Sequence, residues 1–136
     1  MTLSHWRPAL ALAALTAGVA ALVVLAPRAA AQSAGDPTRG HTLYESRCGG
    51  CHSLDANRTG PRHRGVVGRA VASAPGYDYS PALRRVGGNW TAARLDTWLQ
   101  GPQRMAPGTR MYLSVPDAGQ RRDIIAYLVS TSPARR

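Results

Sequence analysis

The run Cys48-Gly49-Gly50-Cys51-His52 constrains this chain more than any other feature of its sequence. Two cysteines separated by two residues and followed directly by a histidine form the attachment signal for c-type haem. The two thiols bond to one porphyrin, and the histidine ligates its iron. The motif therefore predicts a fold built around one covalently held haem c.

Three other interpretations of the cysteine pair are weaker. A redox dithiol usually begins a helix within a βαβ pattern, and the sequence contains no such pattern. A zinc site needs a second pair of ligands, yet Cys48 and Cys51 are the only cysteines. A disulfide between them would close a very small loop and would stabilise little.

Residues 1–31 have the layout of a secretory signal peptide. Arg7 supplies a positive start, residues 9–26 are almost all apolar, and Ala29-Ala30-Ala31 offers a cleavage site. An uncleaved membrane anchor is the alternative, because the apolar run approaches the roughly 18 residues that a membrane span needs. We favour cleavage. Both interpretations place the protein in the periplasm, either free or tethered to the outer face of the cytoplasmic membrane.

The folded domain is predicted over residues 36–130, with a tail over 131–136. A domain of this size is small for a self-sufficient core, and the chain contains no Phe. Every basic residue is Arg; without Arg7 and Arg28, 15 Arg face 7 acidic residues, a charge of 15 − 7 = +8 before two haem propionates. Such a surface steers association with anionic partners. Because an exported chain rarely meets nucleic acid, we expect an acidic protein or an anionic membrane.

Helix signals predict an all-α fold of about four short helices and long loops wrapped around one haem. No strand pattern and no repeat is visible, and residues 103–116 are predicted to be loop. The predicted helices run from Asp36-Pro37 into the haem motif, from Ser80-Pro81 to Val86, from Thr91 to Gly101-Pro102, and from about Asp117 to Ser130.

A second axial ligand must come from elsewhere in the chain. Met105, Met111, His41 and His63 are the candidates outside the first 31 residues. The segment Pro107-Gly108-Thr109-Arg110-Met111 favours Met111, because it lies far along the chain in a loop that can reach the distal face of the haem.

At this segment the sequence resembles the small class I cytochromes c of mitochondrial and bacterial respiratory chains, and the resemblance covers nearly all of residues 36–130. Their distal methionine lies in a P-G-T-K-M segment, where Met111 stands here. The resemblance assigns Met105 to packing. It implies the cytochrome c fold and a one-electron carrier, not an enzyme, that shuttles between redox proteins of a respiratory or photosynthetic chain.

The resemblance also implies further haem contacts. Pro61, in Thr59-Gly60-Pro61, matches the proline whose carbonyl accepts a hydrogen bond from the proximal imidazole. Trp98 and Leu83 depart from the family's usual Tyr and Asn, so we expect a drier distal side. The residues that would support the haem propionates by likeness are Arg69, Tyr79, Trp90 and Thr109.

Four arginines match positions where family members carry docking lysines: Arg47, Arg58, Arg104 and Arg110. The expected partners of this monomer are acidic-faced redox proteins, such as quinol:cytochrome c oxidoreductase, cytochrome oxidase or another terminal acceptor. Two alternatives stay open. A haem subunit of a periplasmic dehydrogenase would favour a large exposed apolar patch, and a peroxidase-like or gas-binding protein would need an open iron site.

Overall fold

The structure is a computed structural model that describes residues 34–133. The predicted signal peptide and the last three residues of the predicted tail lie outside the described residues. Within this range the chain forms five helices and a single isolated β-bridge between Ala70 and Asn89. The helices are α1 (Pro37–Arg47), α2 (Pro81–Val86), α3 (Ala92–Gln100), α4 (Pro102–Met105) and α5 (Ala118–Ser130). The prediction of an all-α class is confirmed. None of these five helices is long and apolar enough to cross a bilayer.

Helix α4 corrects the sequence prediction, which placed residues 103–116 in a loop. Gly101 and Pro102, interpreted as the end of α3, also begin a new helical turn, since proline is preorganised for the first helical position. The turn closes with a hydrogen bond of 2.8 Å from the Ala106 N–H to the Pro102 carbonyl. One short helix therefore stands between α3 and the segment that carries Met111.

Side-chain caps lie at the starts of the four longer helices, at the positions where the sequence predicts these helices to begin. The Asp36 carboxylate accepts from the Thr38 N–H at 2.8 Å, and Asp117 accepts from the Gln120 N–H at 2.7 Å. Ser80 and Thr91 cap α2 and α3 in the same way. Each cap contributes about 1 kcal/mol, which matters for helices of 6 to 13 residues.

Helices α1 and α5 cross in close contact and form the frame of the fold. A Cβ placed on Gly40 would lie 1.9 Å from the Asp123 carbonyl oxygen, so only glycine permits this approach. Tyr44 and Ile124 are completely buried beside the crossing. The Asp123 carboxylate adds a polar tie, since it accepts from the Asp36 N–H at 2.7 Å and from Arg39 Nε at 2.9 Å.

Replacing Gly40 with Ala is expected to lower the free energy of unfolding of the haem-loaded protein. Alanine favours a helix by about 1 kcal/mol over glycine, but the added methyl meets backbone that cannot rotate away, and overpacking costs about 1–3 kcal/mol or more. Denaturant titration measures the change. Gly119→Ala is the control, because it adds the same methyl to a helix outside the haem motif, where the nearest atoms are the ends of the Asp117 and Arg122 side chains. Equal stability of the Gly40→Ala variant and the control would contradict the argument.

The tie at Asp123 predicts a pH dependence of stability. The Arg39 guanidinium, and after it the Asp36 N–H, hold the pKa of this carboxyl below its usual value of 3.8. Because the folded pKa is depressed, the stabilisation is complete above the unfolded-state pKa of about 3.9. It is lost as the pH falls through the folded pKa.

Thermal unfolding of Asp123→Asn should therefore respond less steeply than wild type to acidification below about pH 4. Arg39→Gln removes the main cause of the lowered pKa of Asp123 and should flatten the acid dependence of unfolding in the same way. If the thermal stability of both variants falls with pH in parallel with that of wild type over this range, the contacts of Asp123 do not contribute to the acid dependence of stability.

Candidate functional site: a haem crevice

The attachment motif occupies the turn directly after α1. Cys48 is the C-cap of that helix, and its N–H donates to the Tyr44 carbonyl at 2.7 Å. The His52 N–H then returns to the Cys48 carbonyl at 2.8 Å. The Cys48 side chain is buried, and burial raises the pKa of its thiol to about 11, whereas Cys51 is exposed. One tight turn thus presents two thiols and an imidazole together.

A backbone carbonyl orients the His52 ring. Its Nδ1 lies 2.8 Å from the Pro61 carbonyl oxygen, so Nδ1 carries the proton and the Nε2 lone pair stays available to a metal. Burial lowers the pKa of His52, opposed by this hydrogen bond, and favours the neutral ring that a metal requires. Gly60 lies so close that a Cβ there would stand 2.1 Å from His52 Cε1.

A second histidine lies against the first. The rings of His63 and His52 stack with centroids 4.0 Å apart and planes 20° from parallel. Burial lowers the pKa of His63 well below 6.5, so this ring is also neutral. Its Nδ1 is buried with no hydrogen-bond partner among residues 34–133. The sequence offers His63 only as a candidate axial ligand, and the tertiary structure shows that its ring packs on His52.

A cavity of about 410 Å³ lies beside the motif, within the size range of protein sites for small ligands and cofactors. The thiols and imidazole line it together with Met111, which comes from the loop after α4. The structure thus brings together residues that lie about 60 positions apart. The other lining residues are Arg47, Thr59, Gly60, Pro61, Tyr77, Tyr79, Ser80, Leu83, Thr109, Arg110, Tyr112 and Leu113.

The donor set fits one haem. Two thiols can form the covalent bonds, His52 offers a free Nε2, and Met111 offers a thioether from the same cavity. The glycine at position 60 leaves just enough room for the ring of His52. The sulfur, nitrogen and thioether groups are the usual attachment points and axial ligands of haem c.

The four residues predicted to support the propionates divide into two pairs. Tyr79 and Thr109 are buried and line the cavity. Arg69 and Trp90 do not line it. Arg69 Nη2 donates instead to the Arg62 carbonyl at 2.8 Å, and the Trp90 ring packs on Trp98 with centroids 5.5 Å apart. Their propionate contacts remain predictions.

All four arginines predicted to dock a partner are exposed. Arg47 and Arg110 line the cavity itself, and Arg58 donates to the Gly49 carbonyl within the attachment motif at 2.8 Å. Arg104 lies on α4. Arg110 also contacts Asp78, whose carbonyl accepts from Arg110 Nη1 at 2.9 Å. At least three of the four cations therefore lie close to the haem motif or the cavity.

Comparison with known proteins agrees with this geometry. The cytochrome c family model matches residues 37–132. The chain is 43% identical over 97 residues to cytochrome c2 of Rhodopila globiformis, covering 69% of this chain and 92% of that protein. It is 42% identical over 96 residues to "cytochrome c-type cyt cy" of Rhodobacter capsulatus, covering 69% of this chain but only 48% of that protein. The solved structure of cytochrome cH from Methylobacterium extorquens superposes with a TM-score of 0.68 at 38% identity, covering 71% of this chain and 99% of that one.

The chain belongs to the cytochrome c family. It is a haem c protein that carries electrons and is not an enzyme, and Cys48 and Cys51 fit the motif through which the family binds its haem.

Proposed function

We propose that the chain carries one electron at a time through a haem c whose iron is held by His52 and Met111. Haem with these two ligands supplies a one-electron couple of comparatively high potential. The observation that carries the proposal is the cavity lined by both side chains and both thiols. Iron held by both His52 and Met111 would leave no position for a substrate, so the site suits electron transfer.

Tyr79 and Thr109 are proposed to bind the propionates. The Tyr79 hydroxyl oxygen accepts from the Ala74 N–H at 3.1 Å, which leaves its own O–H free to donate. Thr109 is held in the cavity wall by the hydrogen bond from its N–H to the Ala106 carbonyl at 2.9 Å. Two buried hydroxyl donors offset part of the cost of bringing carboxylates into a small protein. For Arg69 and Trp90 the proposal rests on the family resemblance alone.

The alternatives receive less support. The large apolar side chains exposed within residues 34–133 are Tyr112, Leu113 and Val129. Two of them are neighbours at the cavity, too few for the broad apolar patch of a permanent enzyme subunit. An open iron site would require Met111 to lie elsewhere, whereas it lines the cavity.

The proposed partners are acidic redox proteins that bind the exposed arginines near the cavity, for example a quinol:cytochrome c oxidoreductase or a terminal oxidase. The exposed cations near the crevice, Arg47, Arg58 and Arg110, support this choice. We also propose export to the periplasm as a monomer, from the leader-like sequence of residues 1–31 and the covalent haem motif. The tethered alternative remains part of that proposal.

Met111→Ala tests the proposed ligand. The haem-loaded variant should lose the weak ferric absorption band near the red end of the spectrum that reports methionine ligation. It should also have a lower reduction potential, because the thioether favours the ferrous state. Met105→Ala is the matched control, since Met105 does not line the cavity. A variant at position 111 that keeps the wild-type band and potential would reject the proposed ligation.

Neutralising two crevice arginines tests docking. The double variant Arg47→Gln, Arg58→Gln should reduce the rate of electron transfer to an acidic oxidase by about tenfold at low salt, because steering is lost. Its rate should also fall less steeply with ionic strength than that of wild type. Stopped-flow oxidation across a salt series measures both effects.

Arg85→Gln with Arg122→Gln makes the same change in net charge at positions that neither line the cavity nor donate to the attachment motif as Arg58 does. If this control slows electron transfer as much as the variant at positions 47 and 58 does, the net charge of the protein determines the rate. The proposed docking at the arginines near the cavity is then wrong.

A further inference from the structure

The side chain of Gln103 forms hydrogen bonds along the segment that carries Met111. Gln103, on α4, donates through Nε2 to the carbonyl of Thr109 at 2.6 Å and to the carbonyl of Met111 at 3.0 Å. Its Oε1 accepts from the Gly108 N–H at 3.2 Å. A glutamine amide has two N–H donors and two acceptor positions on its oxygen. Three of these four are used on residues 108–111.

Few other hydrogen bonds hold the backbone of this segment. Among residues 34–133, the carbonyls of Thr109 and Met111 have Gln103 as their only protein hydrogen-bond partner. The segment's one other backbone hydrogen bond joins the Thr109 N–H to Ala106. Gly108 has a φ of 88°, so the segment turns through a left-handed conformation that favours glycine. The Gln103 amide therefore holds both sides of this turn.

The base of this contact is fixed. Pro102, which precedes Gln103, is completely buried, and Ala106 is almost so. The hydrogen bond of 2.8 Å between them closes α4 as a single turn. By contrast, the remaining side-chain tie of the segment, from Arg110 to Asp78, is exposed to solvent. A half-buried amide on an anchored turn constrains a loop better than a solvent-screened ion pair does.

We propose that Gln103 is a positioning residue that keeps Met111 in the haem cavity. This inference rests on the proposed function, in which Met111 is the distal ligand. Gln103 does not line the cavity. It acts through the backbone on both sides of the ligand and raises the free energy needed to swing the thioether away from the iron.

Imidazole binding to the ferric haem-loaded protein is the direct test, because imidazole takes the distal position only when methionine leaves. Displacing Met111 breaks two neutral hydrogen bonds from Gln103. The presence of these bonds is expected to change the equilibrium of imidazole binding by about tenfold. Gln103→Ala should therefore bind imidazole about ten times more tightly than wild type. Gln103→Glu keeps the size and the acceptor but replaces the donor with a carboxylate facing two carbonyls, so it should bind at least as tightly as Gln103→Ala.

Gln100→Ala is the matched control. This glutamine is exposed on α3, and its amide donates to Asp96 at 2.6 Å without contacting the loop. It should leave imidazole affinity unchanged. The red-end ferric band gives a second readout: both variants at position 103 should lose it at a lower temperature than wild type, while the control should not.

The outcomes separate the two proposals. A wild-type protein without the red-end band would overturn methionine ligation and this inference with it. A wild type that has the band, with unchanged imidazole affinity in the variants at position 103, would overturn only the role of Gln103. If Gln103→Ala does not fold, Gln103→Glu decides the question, because it preserves the packing volume.

Discussion

The turn that carries Cys48, Cys51 and His52 directly after α1 is the constraint on which the rest of this structure depends. It joins the site to the best-packed part of the fold, since α1 crosses α5 at Gly40 with no space for a side chain. Any haem bound through that turn takes its position from the crossing. The Pro61 carbonyl then sets the rotation of the imidazole. The position and rotation of His52 thus come from contacts with backbone carbonyls.

Met111 is held in a different way from His52. Met111 belongs to a loop, and its place depends on short-range devices: a helical turn at Pro102, a left-handed glycine at position 108 and the amide of Gln103. After Met111 the chain is fixed again at Val115. Its N–H donates to the Leu99 carbonyl at 2.7 Å, and its carbonyl accepts from Arg121 Nη1 at 2.9 Å. His52, the proposed proximal ligand, is therefore held by the core, and Met111, the proposed distal ligand, by a loop between two anchored points.

Much of this arrangement was predictable from sequence because its signals are local. Asp36 and Thr91 mark helix starts by their capping chemistry, and the haem motif is contiguous. Helix α4 was missed because Gly101-Pro102 ends one helix and begins another, and a single turn leaves no periodicity to detect. The stack of His63 on His52 and the hydrogen bonds of Gln103 were also missed. They depend on which segments meet in space, which residue type and spacing do not encode.

The exclusive use of arginine has a consequence for the working range of this carrier. A lysine surface begins to lose its charge near a pH of about 10.4, whereas a guanidinium stays protonated above pH 12. Every basic residue of this chain is arginine, so its positive surface persists in alkaline surroundings. Binding to the proposed acidic partners would instead weaken at low pH, where the partner's carboxylates become protonated. A lysine-free chain also offers no side-chain amine that could compete with Met111, the proposed ligand, for iron.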